Sequence, residues 1–150
     1  MKVKELMHQP VFSCSEEDSM STAAGLMWDH DCGAVPVTDG DGRLIGMITD
    51  RDICMSAFTK GQLLSALPVR DGMAREIFSC HGDDSLEDIE QTMGEHQIRR
   101  MPVVDDDNRP VGVVSLGDLA LYSASQKRAK GMQRDVLSTL ADISKPRARA

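Results

Sequence analysis

Apolar and polar residues follow two rhythms along this chain, in the same order, twice. Met20, Ala23, Ala24 and Met27 stand three and four apart, the spacing of one helix face. A short apolar run, Ala34–Thr38, comes next, then the polar turn Asp39-Gly40-Asp41-Gly42 and a second run, Leu44–Ile48. Two runs joined by such a turn read as a hairpin. A further helix opens at Thr49–Asp52. The later half repeats each step: Leu86, Ile89 and Met93 form the helix face, Met101–Val104 and Val111–Val114 flank the turn Asp105-Asp106-Asp107-Asn108, and a helix opens at Ser115–Asp118. A short strand, Phe12-Ser13-Cys14 or Phe78-Ser79-Cys80, precedes each series. Ser19 and Ser85 are placed to cap the first helices, with Thr22 or Asp88 in the first turn.

The two series align without a gap at an offset of 66 residues. Asp18-Ser19 falls on Asp84-Ser85, Pro36-Val37 on Pro102-Val103, Gly46 on Gly112, Thr49 on Ser115 and Asp52 on Asp118. Hydroxyl and acidic positions are kept along with apolar ones, so the chain is a tandem duplication. The fold class expected is α/β (α+β), two βαββα units followed by a helical tail. A unit of about 55 residues buries too little surface alone, and two packed face to face about a pseudo-twofold axis would cover each other's sheets. The expected division is 1–60, 61–124 and a basic extension, 125–150.

Composition narrows the function. With 41% hydrophobic and 27% charged residues the chain reads as globular. No apolar run approaches the ~20 residues of a membrane span, and nothing after Met1 resembles a signal peptide, so a cytoplasmic location is expected. Net charge is −7. Residues 126–150 hold seven Lys/Arg against Asp135 and Asp142, a balance of +5, which leaves −12 for the rest. An acidic body argues against general nucleic-acid binding; the basic tail alone keeps that idea open. Cys14, Cys32, Cys54 and Cys80 show no short metal-ligand spacing, and no metal site is expected. His30 and His96 are repeat-equivalent, which points to a structural role near a helix end.

The segments VKELM and VRDGM at the unit starts, GAVPVTD and RRMPVVD in mid-unit, and GMITDRDI and GVVSLGDL at the ends resemble a tandem pair of cystathionine-β-synthase (CBS) domains, a Bateman module, over residues 1–124. The resemblance implies an adenosine-ligand site in each of two clefts. Its aspartate accepts from the ribose hydroxyls, which suits a carboxylate offering two acceptor oxygens to a vicinal diol. One cleft would comprise Met47, Thr49, Asp52, Ile77 and Phe78, with Arg99 and Arg100 on phosphate. The other would comprise Val11, Phe12, Gly33, Ala34, Val113, Ser115 and Asp118. The first unit has Gly33 and Ala34 where the second has the arginine pair, so only the Thr49/Asp52 cleft is expected to grip phosphate. Without the resemblance, an aspartate in this place reads as a helix cap.

A Ser/Thr-x-x-Asp pair without a histidine base lacks hydrolytic geometry, and neither a Walker loop nor GxGxxG is present. A non-catalytic sensor of AMP, ADP or ATP, requiring no cofactor, is the leading expectation. A structural interaction module, or a binder of S-adenosylmethionine or NAD, stands second. A homodimer is expected through helix faces bearing Ile53, Ala57, Leu119 and Leu121, with an unidentified protein as a further partner. Val136, Leu137, Leu140 and Ile143 predict a helix over 132–143 that docks on its own dimer or on a partner, ahead of a frayed end that includes Lys145-Pro146-Arg147.

Overall fold

The computed structural model describes residues 1–125 and 130–143. Two compact units form, each with a three-stranded sheet. The first-repeat unit comprises Pro10–Ile77 with Asp105–Pro110; the second-repeat unit comprises Met1–Gln9, Phe78–Val104 and the described residues from Val111 onward. Membership thus departs from chain order, because each repeat is completed by the segment that precedes the other.

In the first-repeat unit β1 (Cys14–Ser15) lies parallel to β2 (Ala34–Thr38), and β2 is antiparallel to β3 (Leu44–Thr49). Helix α1 (Met20–Asp29) follows β1, and α2 (Asp50–Lys60) follows β3. The second-repeat unit repeats the order with β4 (Cys80–His81), α3 (Leu86–His96), β5 (Arg100–Val104), β6 (Pro110–Ser115) and α4 (Leu116–Ser125). The expected βαββα units are therefore present. The opening strands are shorter than expected and start at the cysteine; Phe12 and Phe78, ahead of them, stack on His30 and His96 of their own units, with ring centroids 3.4 and 3.7 Å apart. Both histidines close a helix, His30 as the C-cap of α1 and His96 as the last residue of α3.

The anticipated caps form. The Ser19 side chain accepts from Thr22 N and the Ser85 side chain from Asp88 N. Met20, Ala23 and Met27 fill one core; Leu86, Ile89 and Met93 fill the other. Ile53 and Leu119 also lie in these cores. This corrects their expected place on free helix faces: each points from its helix onto its own sheet, and the large apolar side chains left exposed on α1, α2 and α4 are Trp28, Met55, Phe58 and Leu121.

The leading segments are bound in matched ways. Val69 N donates to Asp18 O and Arg70 N to Glu16 O; the counterparts are Val3 N to Asp84 O and Lys4 N to Gly82 O. Val3 and Val69 are fully buried. Arg70 pairs with Glu17 as Lys4 pairs with Asp83. Hydrogen bonds from Lys2 and Lys4 hold the Asp83 carboxyl down to about 2. Ala74 then bridges to Met47 on β3, and His8 bridges to Val113 on β6.

Helix α5 (Lys130–Ile143) packs on α3 and α4 within the second-repeat unit, burying Val136, Thr139 and Ile143 and leaving Leu137 and Leu140 exposed. The tail helix thus docks on its own chain. The expected frayed end lies outside the described residues.

Candidate functional site

The repeated sentence Gly-φ-φ-Thr/Ser-x-x-Asp (φ, apolar) spans the junction of a strand and a helix in each unit. Its glycine sits where the leading segment crosses. A Cβ on Gly46 would stand 2.9 Å from Met73 Sδ and 3.0 Å from the Ala74 carbonyl oxygen; on Gly112 it would stand 2.7 Å from Met7 Sδ and 3.0 Å from the His8 carbonyl oxygen. Only a residue without a side chain admits that crossing.

The hydroxyl and aspartate form a reciprocal cap. Thr49 Oγ1 accepts from Asp52 N at 3.1 Å while Asp52 Oδ2 accepts from Thr49 N at 2.9 Å. In the other unit Ser115 Oγ accepts from Asp118 N at 3.2 Å, and Asp118 Oδ2 accepts from Ser115 N and Ser115 Oγ, both at 2.7 Å. Capping fixes each carboxylate at a helix N-terminus, where the dipole favours negative charge. Asp52 Oδ1 has no hydrogen-bond partner among the described residues. Asp118 Oδ1 has one: His8 Nε2, at 2.6 Å.

His8 is the functional candidate that the sequence reading missed. The signal was there, since the repeat-equivalent of His8 is Ala74. The cluster does not activate a nucleophile, because Ser115 Oγ bonds Asp118 rather than the imidazole.

Of the remaining residues, Met47, Val11, Phe12, Ile77 and Val113 are half-buried, and Ala34 is buried at the start of β2. Val11, Phe12, Gly33, Ala34, Met47, Thr49, Asp52 and Ile77 belong to the first-repeat unit; Phe78, Arg99, Arg100, Val113, Ser115 and Asp118 belong to the second-repeat unit. The Arg99 carbonyl accepts from Leu116 N at 2.9 Å, and the Gly33 carbonyl from Asp50 N at 3.1 Å, tying the residue that precedes β5 or β2 to the helix that carries the aspartate. Both arginine side chains are exposed, without a hydrogen bond or ion pair among the described residues. In an acidic body two unpaired guanidinium groups are available to an anion.

An open groove of about 870 Å³ lies on α1 and α2, lined by residues that include Met27, Trp28, Ile53 and Leu64. Neither Thr49 nor Asp52 lines it, and its walls are mostly apolar, so it reads as a helix-packing surface. Among the described residues no group of three or more His, Cys, Asp or Glu side chains is placed to hold a metal ion, and no helix is long and apolar enough to cross a membrane.

The family profile for the CBS domain matches residues 3–58 and again 61–125. The chain belongs to the CBS domain family. It is 42% identical over 127 residues to the CBS domain-containing protein YhcV of Bacillus subtilis, spanning 85% of this chain and 89% of that protein. The structure of the CBS domain pair of protein MJ0100, in complex with 5′-methylthioadenosine and S-adenosyl-L-methionine, superposes with a TM-score of 0.77 at 26% identity, covering 85% of this chain and 98% of the other. Hypoxic Response Protein I, solved with two coordinated zinc ions, gives a TM-score of 0.73 at 31% identity over 81% of this CBS chain and 98% of its own.

Proposed function

We propose that this CBS pair is a non-catalytic sensor of adenosine-containing ligands: AMP, ADP or ATP first, with S-adenosylmethionine or NAD as the alternatives. The observation that carries the reading is the CBS pair of similar fold that holds two adenosine derivatives. The capped Asp52 carboxylate supports it, having one oxygen without a hydrogen-bond partner among the described residues. The ribose diol goes to Asp52, assisted by Thr49, the adenine to Met47, Ile77 and Phe78, and the phosphates to Arg99 and Arg100. Val11, Phe12, Gly33, Ala34, Val113, Ser115 and Asp118 form the second set, which has no phosphate-binding arginine pair. Ligand preference for one conformation of the pair conveys occupancy to a protein partner. The protein works in the cytoplasm as a homodimer, through the helix surface that exposes Trp28 and Phe58.

Calorimetry tests this. Well-placed arginine–phosphate contacts contribute about 1.5–3 kcal/mol each, roughly tenfold or more in affinity. Asp52→Ala removes the tight nucleotide site, and Asp118→Ala spares it. Changing Arg99 and Arg100 together to Ala weakens AMP and ATP but leaves adenosine nearly unchanged. Tight binding that survives Asp52→Ala overturns the assignment. The reciprocal capping favours one other reading, a structural interaction module whose aspartates only cap helices. Its mark is the absence of binding by all five compounds.

A further inference from the structure

The two ribose-site carboxylates differ in how much acceptor capacity the protein already uses. A carboxylate offers about four lone-pair directions. Asp52 gives one of them to Thr49 N. Asp118 gives three, to Ser115 N, Ser115 Oγ and His8 Nε2. A vicinal diol brings two O–H donors. Asp52 can accept both, whereas Asp118 has room for one while His8 is in place. Because an ionised carboxylate only accepts, the imidazole must donate through Nε2–H, and such a charge-assisted bond at 2.6 Å is not given up freely.

We infer that His8 is the residue that decides whether the Ser115/Asp118 site takes a ribose: it occupies the acceptor that a second hydroxyl needs, so the site does not discriminate for a vicinal diol. His8 is held there by its backbone, which bridges to Val113 through His8 N to Val113 O at 2.9 Å. Its side chain is 77% exposed while that of Asp118 is 9% exposed, so an exposed imidazole holds an oxygen of a buried carboxylate. The other unit shows what the latch replaces. There the same bridge to β3 is made by Ala74, which places no donor on Asp52. Alanine is thus a natural occupant of this backbone position, and His8→Ala keeps the fold.

This inference rests on the adenosine reading above, and the test separates the two. Calorimetry of the full chain is run with adenosine and 2′-deoxyadenosine, which lacks one hydroxyl of the diol. In an Asp52→Ala background, which isolates the second site, the two ligands are expected to bind equally weakly. Adding His8→Ala should raise adenosine affinity tenfold or more and leave 2′-deoxyadenosine behind. The converse change, Ala74→His in the otherwise unaltered chain, should weaken adenosine at the Asp52 site by a similar factor. If the unaltered protein binds adenosine at Asp52 but neither histidine change alters the preference for the diol, the His8 inference falls and the sensor reading stands. If no variant binds either nucleoside, both fall.

Discussion

A side chain's environment, more than its identity, sets what it does here. Cys14 and Cys80 occupy the same repeat position, and burial, aided by Asp18 and Asp84, pushes their thiols up to about 11 and about 12. The thiolate is the reactive form, so these two are inert packing residues. Cys32 and Cys54 are exposed. An aromatic disulfide reagent at about pH 8 is expected to titrate two thiols quickly in the native protein and four in denaturant. Replacing Cys32 and Cys54 with serine should abolish the fast phase, and fast labelling of Cys14 or Cys80 would contradict their buried placement. The paired aspartates make the same point: both cap a helix, but only Asp118 also carries a histidine.

At the scale of elements, the leading segments complete each unit. Each adds a buried valine and an antiparallel bridge to a β-strand edge, and each crosses a glycine. Gly112→Ala is expected to destabilise the protein by about 1–3 kcal/mol through overpacking against Met7 and the His8 carbonyl, read as a lowered urea midpoint. Gly25 offers the control. It lies exposed in α1 with nothing within 4 Å of an added Cβ, so Gly25→Ala should stabilise by about 0.5–1 kcal/mol. Equal effects at the two glycines would remove the argument for close crossing.

For the whole molecule, the open question is what covers the exposed apolar helix surface. Trp28, at the α1/α2 groove, and Phe58, on α2, are 87% and 80% exposed, and large exposed apolar surface marks an interaction site. Helix α5 packs on α3 and α4, whereas the mostly apolar groove on α1 and α2 is open to a second copy. Light scattering at micromolar concentration is expected to give about twice the 16.4 kDa chain mass. Trp28→Gln with Phe58→Gln should return it to the monomer mass. A clean monomer before substitution would refute the dimer.

Local order was legible because it is written within a few residues. Helix spacing, serine caps, hairpin turns and the 66-residue echo all appear in windows shorter than an element, and the methionine stripes became core as their spacing required. The motif that carries Asp52 and Asp118 was found the same way. Which leading segment completes which sheet was not legible, because duplication makes VKELM and VRDGM near-equivalent partners by pattern. Only packing between distant segments chose Val3 for the second-repeat unit and Val69 for the first. That choice carried His8 to a carboxylate 110 residues away. It also set Ile53 and Leu119 inside rather than on a free face. Periodicity says that a helix has an apolar side; the tertiary fold alone decides what that side meets, because contact energies depend on neighbours remote in sequence.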